Sequence, residues 1–302
     1  MQRKDQIDAF GAVSLVGFSA LLGFNQVVIK LVNVGLQPVF SAGLRSLGAM
    51  LLVYLWMRLR GSRPNFERSV MPSGLLSGVL FASEFILLFV ALDLTSVSRT
   101  SVLFYSMPVW LTLMAHFTIP AERLTVQKSI GLLLAFTGVC LALADRGDTG
   151  QASLTGDLMA LFGSFGWAGI ALSARITAFS RVPPMMQIYW QLSVSSVILL
   201  IAALFFGPLI RDFQPIHGVG MAFQIIAIGT GGYMFWFWLL KIYPASGVAS
   251  FGFLAPIFGV GFGWLILGET VGPSLWAALS LVAIGLILIN RPPRRGASQS
   301  VK

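Results

Sequence analysis

Apolar residues run through this chain in blocks about twenty residues long, and polar residues collect between them. Ten blocks are expected to form helices, at roughly 9–32, 37–57, 70–92, 98–118, 126–144, 154–175, 184–206, 217–240, 247–267 and 273–290. Each is close to the ~20 apolar residues a helix needs to cross a bilayer. The connections are short and gather the Pro, Gly, Asp and Arg residues, as in Val34–Pro38, Arg58–Arg68, Asp145–Gly156 and Gly207–His217. The expected fold class is therefore an all-α integral membrane protein with ten transmembrane helices and no extramembrane domain. The first block is too long for the apolar region of a signal peptide, so it is expected to remain as the first helix.

Composition sharpens this picture. Charged residues make up 10% of the 302 positions and hydrophobic residues 56%, against roughly 25% charged in soluble domains. Mean hydropathy is +0.84. A soluble chain this poor in charge could not cover its own core, which excludes a cytosolic enzyme, a disordered protein and a disulfide scaffold. Cys140 is the one cysteine, so neither an internal disulfide nor a cysteine metal cluster is available.

The formal net charge of +9 would ordinarily suggest nucleic acid, but its placement gives another meaning. Fifteen of the 20 Lys and Arg residues fall on one face, among them Arg58, Arg68, Arg123, Arg175, Lys241 and Arg294. Lys30, Arg99, Arg146 and Arg211 fall on the other face, and Arg45 lies inside the second block. The positive-inside rule makes the rich face cytoplasmic, and both termini with it. The expected partners are the lipid bilayer and a small-molecule substrate, with no nucleic acid, no cofactor and no metal, and the chain is expected to act as a monomer.

The order of motifs repeats. Ser98-Arg99-Thr100-Ser101, Pro108 and Glu122 are followed later by Gly247-Val248-Ala249-Ser250, Pro256 and Glu269. Gly11 and Gly156 open the two halves, with Pro38 and Pro184 about 27 residues on. The expected units are 1–148 and 149–291, each of five helices, with a cytoplasmic tail at 292–302. Five being odd, the second half must enter the membrane from the opposite side. Such inverted repeats place a substrate site near the midplane and permit alternating access.

These motifs carry a resemblance to the EamA-type permeases of the drug/metabolite transporter superfamily. The residues concerned are Ala91-Leu92-Asp93-Leu94-Thr95-Ser96 ahead of Pro108 and Glu122, and Tyr243-Pro244-Ala245-Ser246 ahead of Pro256 and Gly268-Glu269-Thr270. The resemblance implies a secondary transporter of the bacterial inner membrane. It is nearest to exporters of aromatic and other neutral amino acids. A proton-coupled multidrug or other metabolite permease is the alternative. Glu84 departs from the Leu/Phe-rich third helix of the family.

Charge inside an apolar block is costly, about 2.5–3.5 kcal/mol at the bilayer centre on insertion scales, so Glu84 and Arg45 stand out. Glu84 is read as a substrate-amine contact, a proton-coupling group or a neutral structural hydrogen bonder. Arg45 is read either as a contact for a substrate carboxylate or as a packing residue bonded to backbone carbonyls or to a polar group of another helix, close enough to its block's outer end to snorkel. A polar stripe at helical spacing, Ser98, Ser101, Tyr105, Pro108, Thr112 and His116, is expected to turn inward. Phe24 and Asn25 in the first block, Trp167 in the sixth and Tyr233 in the eighth complete the expected cavity. Pro108 and Pro256 are expected to break their helices, and Gly231 and Gly232 to act as a hinge. No convergent set of catalytic groups is present, so an intramembrane enzyme is the remote alternative. A channel would be expected to show a charged ring or filter.

Overall fold

The computed structural model describes residues 4, 6–64, 66–144 and 153–290, and among these the regular structure is entirely helical. In chain order the helices are α1 (Ala9–Gly35), α2 (Pro38–Leu59), α3 (Met71–Leu94), α4 (Val97–Phe104), α5 (Met107–Thr118), α6 (Val126–Ala144), α7 (Leu154–Ile176), α8 (Pro184–Ala203), α9 (Pro215–Phe223), α10 (Tyr233–Ile242), α11 (Ala245–Ser250), α12 (Leu254–Leu267) and α13 (Pro273–Asn290). A π-helical run, Gln224–Gly232, joins α9 to α10. Nine stretches among the described residues are long and apolar enough to cross a membrane. The expected boundary at 148/149 and the tail at 292–302 lie outside the described residues.

Nine rather than ten follows from one interruption. The fourth apolar block is divided into α4 and α5 by a turn at Tyr105 and Ser106, and neither piece has spanning length. Pro108 explains the division. It cannot donate to the carbonyl of Phe104, four residues back, and its ring crowds that oxygen. The helix therefore stops at Phe104 and restarts with Pro108 in its first turn. Pro256 acts alike: its i−4 residue is Gly252, and the chain turns at 251–253 before α12. Both prolines thus stand just inside new helices, where the missing N–H costs nothing, rather than at mid-helix kinks.

Glycines set the closest packing. A Cβ at Gly131 would stand 2.8 Å from the Gly285 oxygen, and one at Gly138 2.7 Å from the Ala278 oxygen, so α6 and α13 meet backbone to backbone and run antiparallel. The pair α2 and α8 is antiparallel too. Gly43 faces Leu200, and the Tyr54 and Tyr189 rings lie 6.3 Å apart. So is α4 against α12, with Ser101 at Gly259 and Ser98 at Gly263. Helix α3 lies between α7 and α8, holding the centre of the largest apolar core.

Polar side chains at the two ends tie the bundle together. At one end, the Tyr243 hydroxyl donates to Asp8 Oδ1 at 2.7 Å, the Gly11 N–H donates to the same oxygen at 2.8 Å, and Lys4 pairs with Asp8. At the other, Arg211 grips Asp93 through two bonds of 2.8 and 3.0 Å.

Candidate functional site

The interior residues singled out by the sequence fall into two groups. Arg45 on α2 places its guanidinium over the Phe85 ring of α3, 4.4 Å from the centroid, and 5.8 Å from that of Phe89. Gly229 of the π-helical run comes close on the other side, where a Cβ would be 3.9 Å from Arg45 Nε. Glu84 sits one residue before Phe85, facing Gly166 of α7. One residue on, Trp167 stacks on Phe104 at 5.2 Å and meets Tyr105 edge-on at 6.1 Å. Glu84, Tyr105 and Tyr233 are the groups that feel the charge of Arg45. Five elements thus converge: α2, α3, the α4–α5 break, α7 and the start of α10.

Arg45 and Glu84 are both 5% exposed. Neither makes a hydrogen bond or an ion pair within 4 Å to any described residue, with each other or with a third group. The packing reading of Arg45, a bond to backbone carbonyls, is therefore not realised, nor does the side chain reach outward. It is buried against phenylalanine. Two amides in the interior are also short of partners: Asn25 Oδ1 and both side-chain polar atoms of Gln224 are buried without one.

The remaining expected residues do other work. Ser101 Oγ donates to Gln26 Oε1 at 2.7 Å, tying α4 to α1. Phe24 packs edge-on against Phe223 and against Phe262, at 5.5 and 5.8 Å, and Phe262 lies on the same core as Trp167. Gly231 and Gly232 fall at the end of the π-helical run, Gly231 exposed and Gly232 buried. Thr112 donates to its own helix at Pro108 O. His116 Nδ1 accepts from the Leu124 N–H at 3.1 Å and so fastens a turn. Among the described residues no group of three metal-ligating side chains occurs.

Three charged residues that the sequence places in connections or at block ends are buried. Arg99 donates from Nε and Nη2 to Asp157, with distances down to 2.6 Å, and Nη2 also donates to Ala142 O. Glu269 accepts from the Val97 and Ser98 N–H groups at 2.7 and 2.8 Å and from Ser98 Oγ at 2.7 Å. It thus caps the N-terminus of α4 from across the bundle. Lys30 donates to Leu92 O and Thr95 O beside it. A cleft lined by Lys30, Val34, Thr95, Leu267 and Glu269 opens at this end. A block end looks polar in either case. Only the neighbouring helices decide whether it is wet.

The fold is that of a multi-pass helical membrane protein. The chain belongs to the EamA-like transporter family, whose model matches residues 9–144 and again 154–291. It is similar to the uncharacterized transporter YoaV of Bacillus subtilis, 22% identical over 91% of this chain and 95% of that one. It is similar also to the inner membrane transporter YedA of Escherichia coli K12, 24% identical over 96% and 93%. A Salmonella typhimurium protein named "Probable amino-acid metabolite efflux pump" is 27% identical over 90% and 93%. A solved crystal structure covers 92% of this chain and 97% of its own, with a TM-score of 0.65 at 17% identity, which concerns the fold alone.

Proposed function

We propose that the protein exports aromatic and other neutral amino acids, or similar small amphipathic metabolites, across the bacterial inner membrane by alternating access. In this reading α4 and α5 together make a tenth crossing, and the chain is two inverted five-helix halves. The helix directions support it. Were a twofold axis in the membrane plane to relate the halves, α2 would match α8, the α4–α5 crossing would match the α11–α12 crossing, and α6 would match α13. Matched helices that meet on such an axis must run oppositely, as these three pairs do. The paired proline breaks fall at matching points, the arrangement that marks the binding region in inverted-repeat transporters.

The observation that carries the substrate reading is the convergence of Arg45 and Glu84, both buried and without protein partners, with the aromatic side chains of Phe85, Trp167, Phe104 and Tyr105. A guanidinium and a carboxyl group in an otherwise aromatic interior suit a neutral amphipathic solute. A cationic drug would find Glu84 but also the repulsion of Arg45. The Salmonella relative's name points the same way. Transport then runs on the substrate's gradient or on coupled protons, and the protein acts as a monomer with both termini in the cytoplasm. The test is counterflow in proteoliposomes with labelled phenylalanine, a labelled sugar and a cationic dye. Exchange of phenylalanine is expected. Exchange of the sugar or dye without phenylalanine would replace the reading with another permease class.

A further inference from the structure

Five charged residues are buried among the described residues: Arg45, Glu84, Arg99, Asp157 and Glu269. The protein satisfies three of them. Arg99 and Asp157 hold each other through several bonds, and Glu269 accepts from three donors on α4. Lys30, partly buried, has two carbonyls. Only Arg45 and Glu84 go without. A buried charge without a partner is among the more costly things a fold can contain, and arginine cannot shed its proton to escape. The two lie near enough to feel each other's charge, yet form no ion pair. The Phe85 ring beneath the guanidinium favours that position by cation–π attraction.

We propose that Arg45 and Glu84 divide one substrate zwitterion between them, the guanidinium taking the α-carboxylate and the Glu84 carboxylate taking the α-ammonium. This deepens, and rests on, the amino-acid reading above. The planar guanidinium fork matches a carboxylate with two parallel bonds. An amino acid carries its opposite charges one carbon apart, so a single molecule reaches both groups. The side chain then points at Trp167, Phe104 and Tyr105. The loaded site has no net charge, which keeps the cost of holding it in the membrane low. An amine lacking the carboxylate leaves Arg45 bare, and an acid lacking the amine leaves Glu84 bare. Both are rejected for the same reason, since a site built around a polar group discriminates strongly against the analogue without it.

The experiment is inhibition of labelled-phenylalanine counterflow by four unlabelled compounds: phenylalanine, phenylalaninamide, phenethylamine and 3-phenylpropionate. In the wild type the last three are expected to inhibit at least about tenfold more weakly than phenylalanine. Arg45→Gln is expected to weaken phenylalanine about tenfold and abolish its advantage over the amide and the amine. Glu84→Gln is expected to abolish its advantage over 3-phenylpropionate. Equal inhibition of the wild type by all four compounds overturns the proposal, even if neither variant folds. Variants that fold and keep the wild-type order overturn it too. A wild type that exchanges phenylalanine while failing these tests leaves the amino-acid reading standing. One that exchanges no amino acid removes both.

Discussion

Trp167, on a helix rich in glycine, stacks on Phe104 and meets Tyr105 edge to face. Gly163, Gly166 and Gly169 line the face of α7 that lies against Leu87, Glu84 and Leu80 of α3. Trp167→Ala is expected to cut phenylalanine transport several-fold while sparing alanine transport and folded yield. Equal losses for both substrates would make it a packing residue. Asp8 is a different case, at the polar edge of the bundle. The Lys4 ammonium, the Tyr243 hydroxyl and the Gly11 N–H, in that order, hold its carboxyl well below the usual range. A group depressed on folding contributes stability above its unfolded pKa, which fades as pH falls towards the folded one. Asp8→Asn should therefore lower Tm in detergent at pH 7, and the gap should narrow only below about pH 3.8, the ordinary aspartate value. A gap that closes at pH 6 would show that the contact is not ionic. Arg45 and Glu84 were visible in the sequence because charge within an apolar block is expensive. Arg99, Asp157 and Glu269 were not, because they sit at block ends where solvent and protein read alike.

At the scale of elements, α4 is an eight-residue helix whose exposed N–H groups are met by a carboxylate from beyond α12. Ser96 supplies the local cap by accepting from the Arg99 N–H at 3.1 Å. Hydrogen bonds to a charged group contribute about 1.5–3 kcal/mol, and here they join two elements that must part if this end of the bundle opens. Glu269→Gln is expected to loosen that closure. In a background where the exposed Cys140 is serine, a cysteine in place of the buried Val97 should react several-fold faster with an impermeant maleimide in the Glu269→Gln variant. Unchanged labelling would show that the cap is structural only. The proline interruptions were legible, since proline's effect on the residue four before it is local chemistry. Their outcome was not: whether a helix bends or restarts depends on the tertiary contacts that receive the new ends. Ser106, with its hydroxyl donating to Leu103 O and accepting from Trp110 Nε1, is one such support. The π-helical run had no forewarning beyond its glycines.

For the whole molecule, the apolar blocks placed almost every helix within a few residues of its observed ends, because lipid allows a spanning backbone few alternatives. The pairing of helices was beyond their reach. It is decided by which glycines touch which backbones, as where a Cβ at Gly285 would lie 2.6 Å from the Gly131 oxygen. The ion pairs agree with the two faces drawn from charge. Arg175 pairs with Glu122 on the cation-rich side, and Arg211 with Asp93 on the poor one. Epitope tags at each terminus should accordingly be protected from protease in intact spheroplasts and cut after permeabilisation. A tag cut in intact cells would refute the paired placement of the ends.

The apolar stretch Pro215–Ile242 has a winding unlike its neighbours. Across Gln224–Gly232 the backbone bonds skip five residues, and the Thr230 hydroxyl donates back to Ile225 O in the same stride. Such a segment holds surplus arc, and π-helical turns recur at working parts of proteins. Passing that surplus along the axis swivels Tyr233 and the aromatic residues after it about the helix while most of the peptide bonding is kept. Arg45 lies against this joint, Gly229 being the residue of the run that approaches its guanidinium, so torsion along this one helix is felt at the buried arginine.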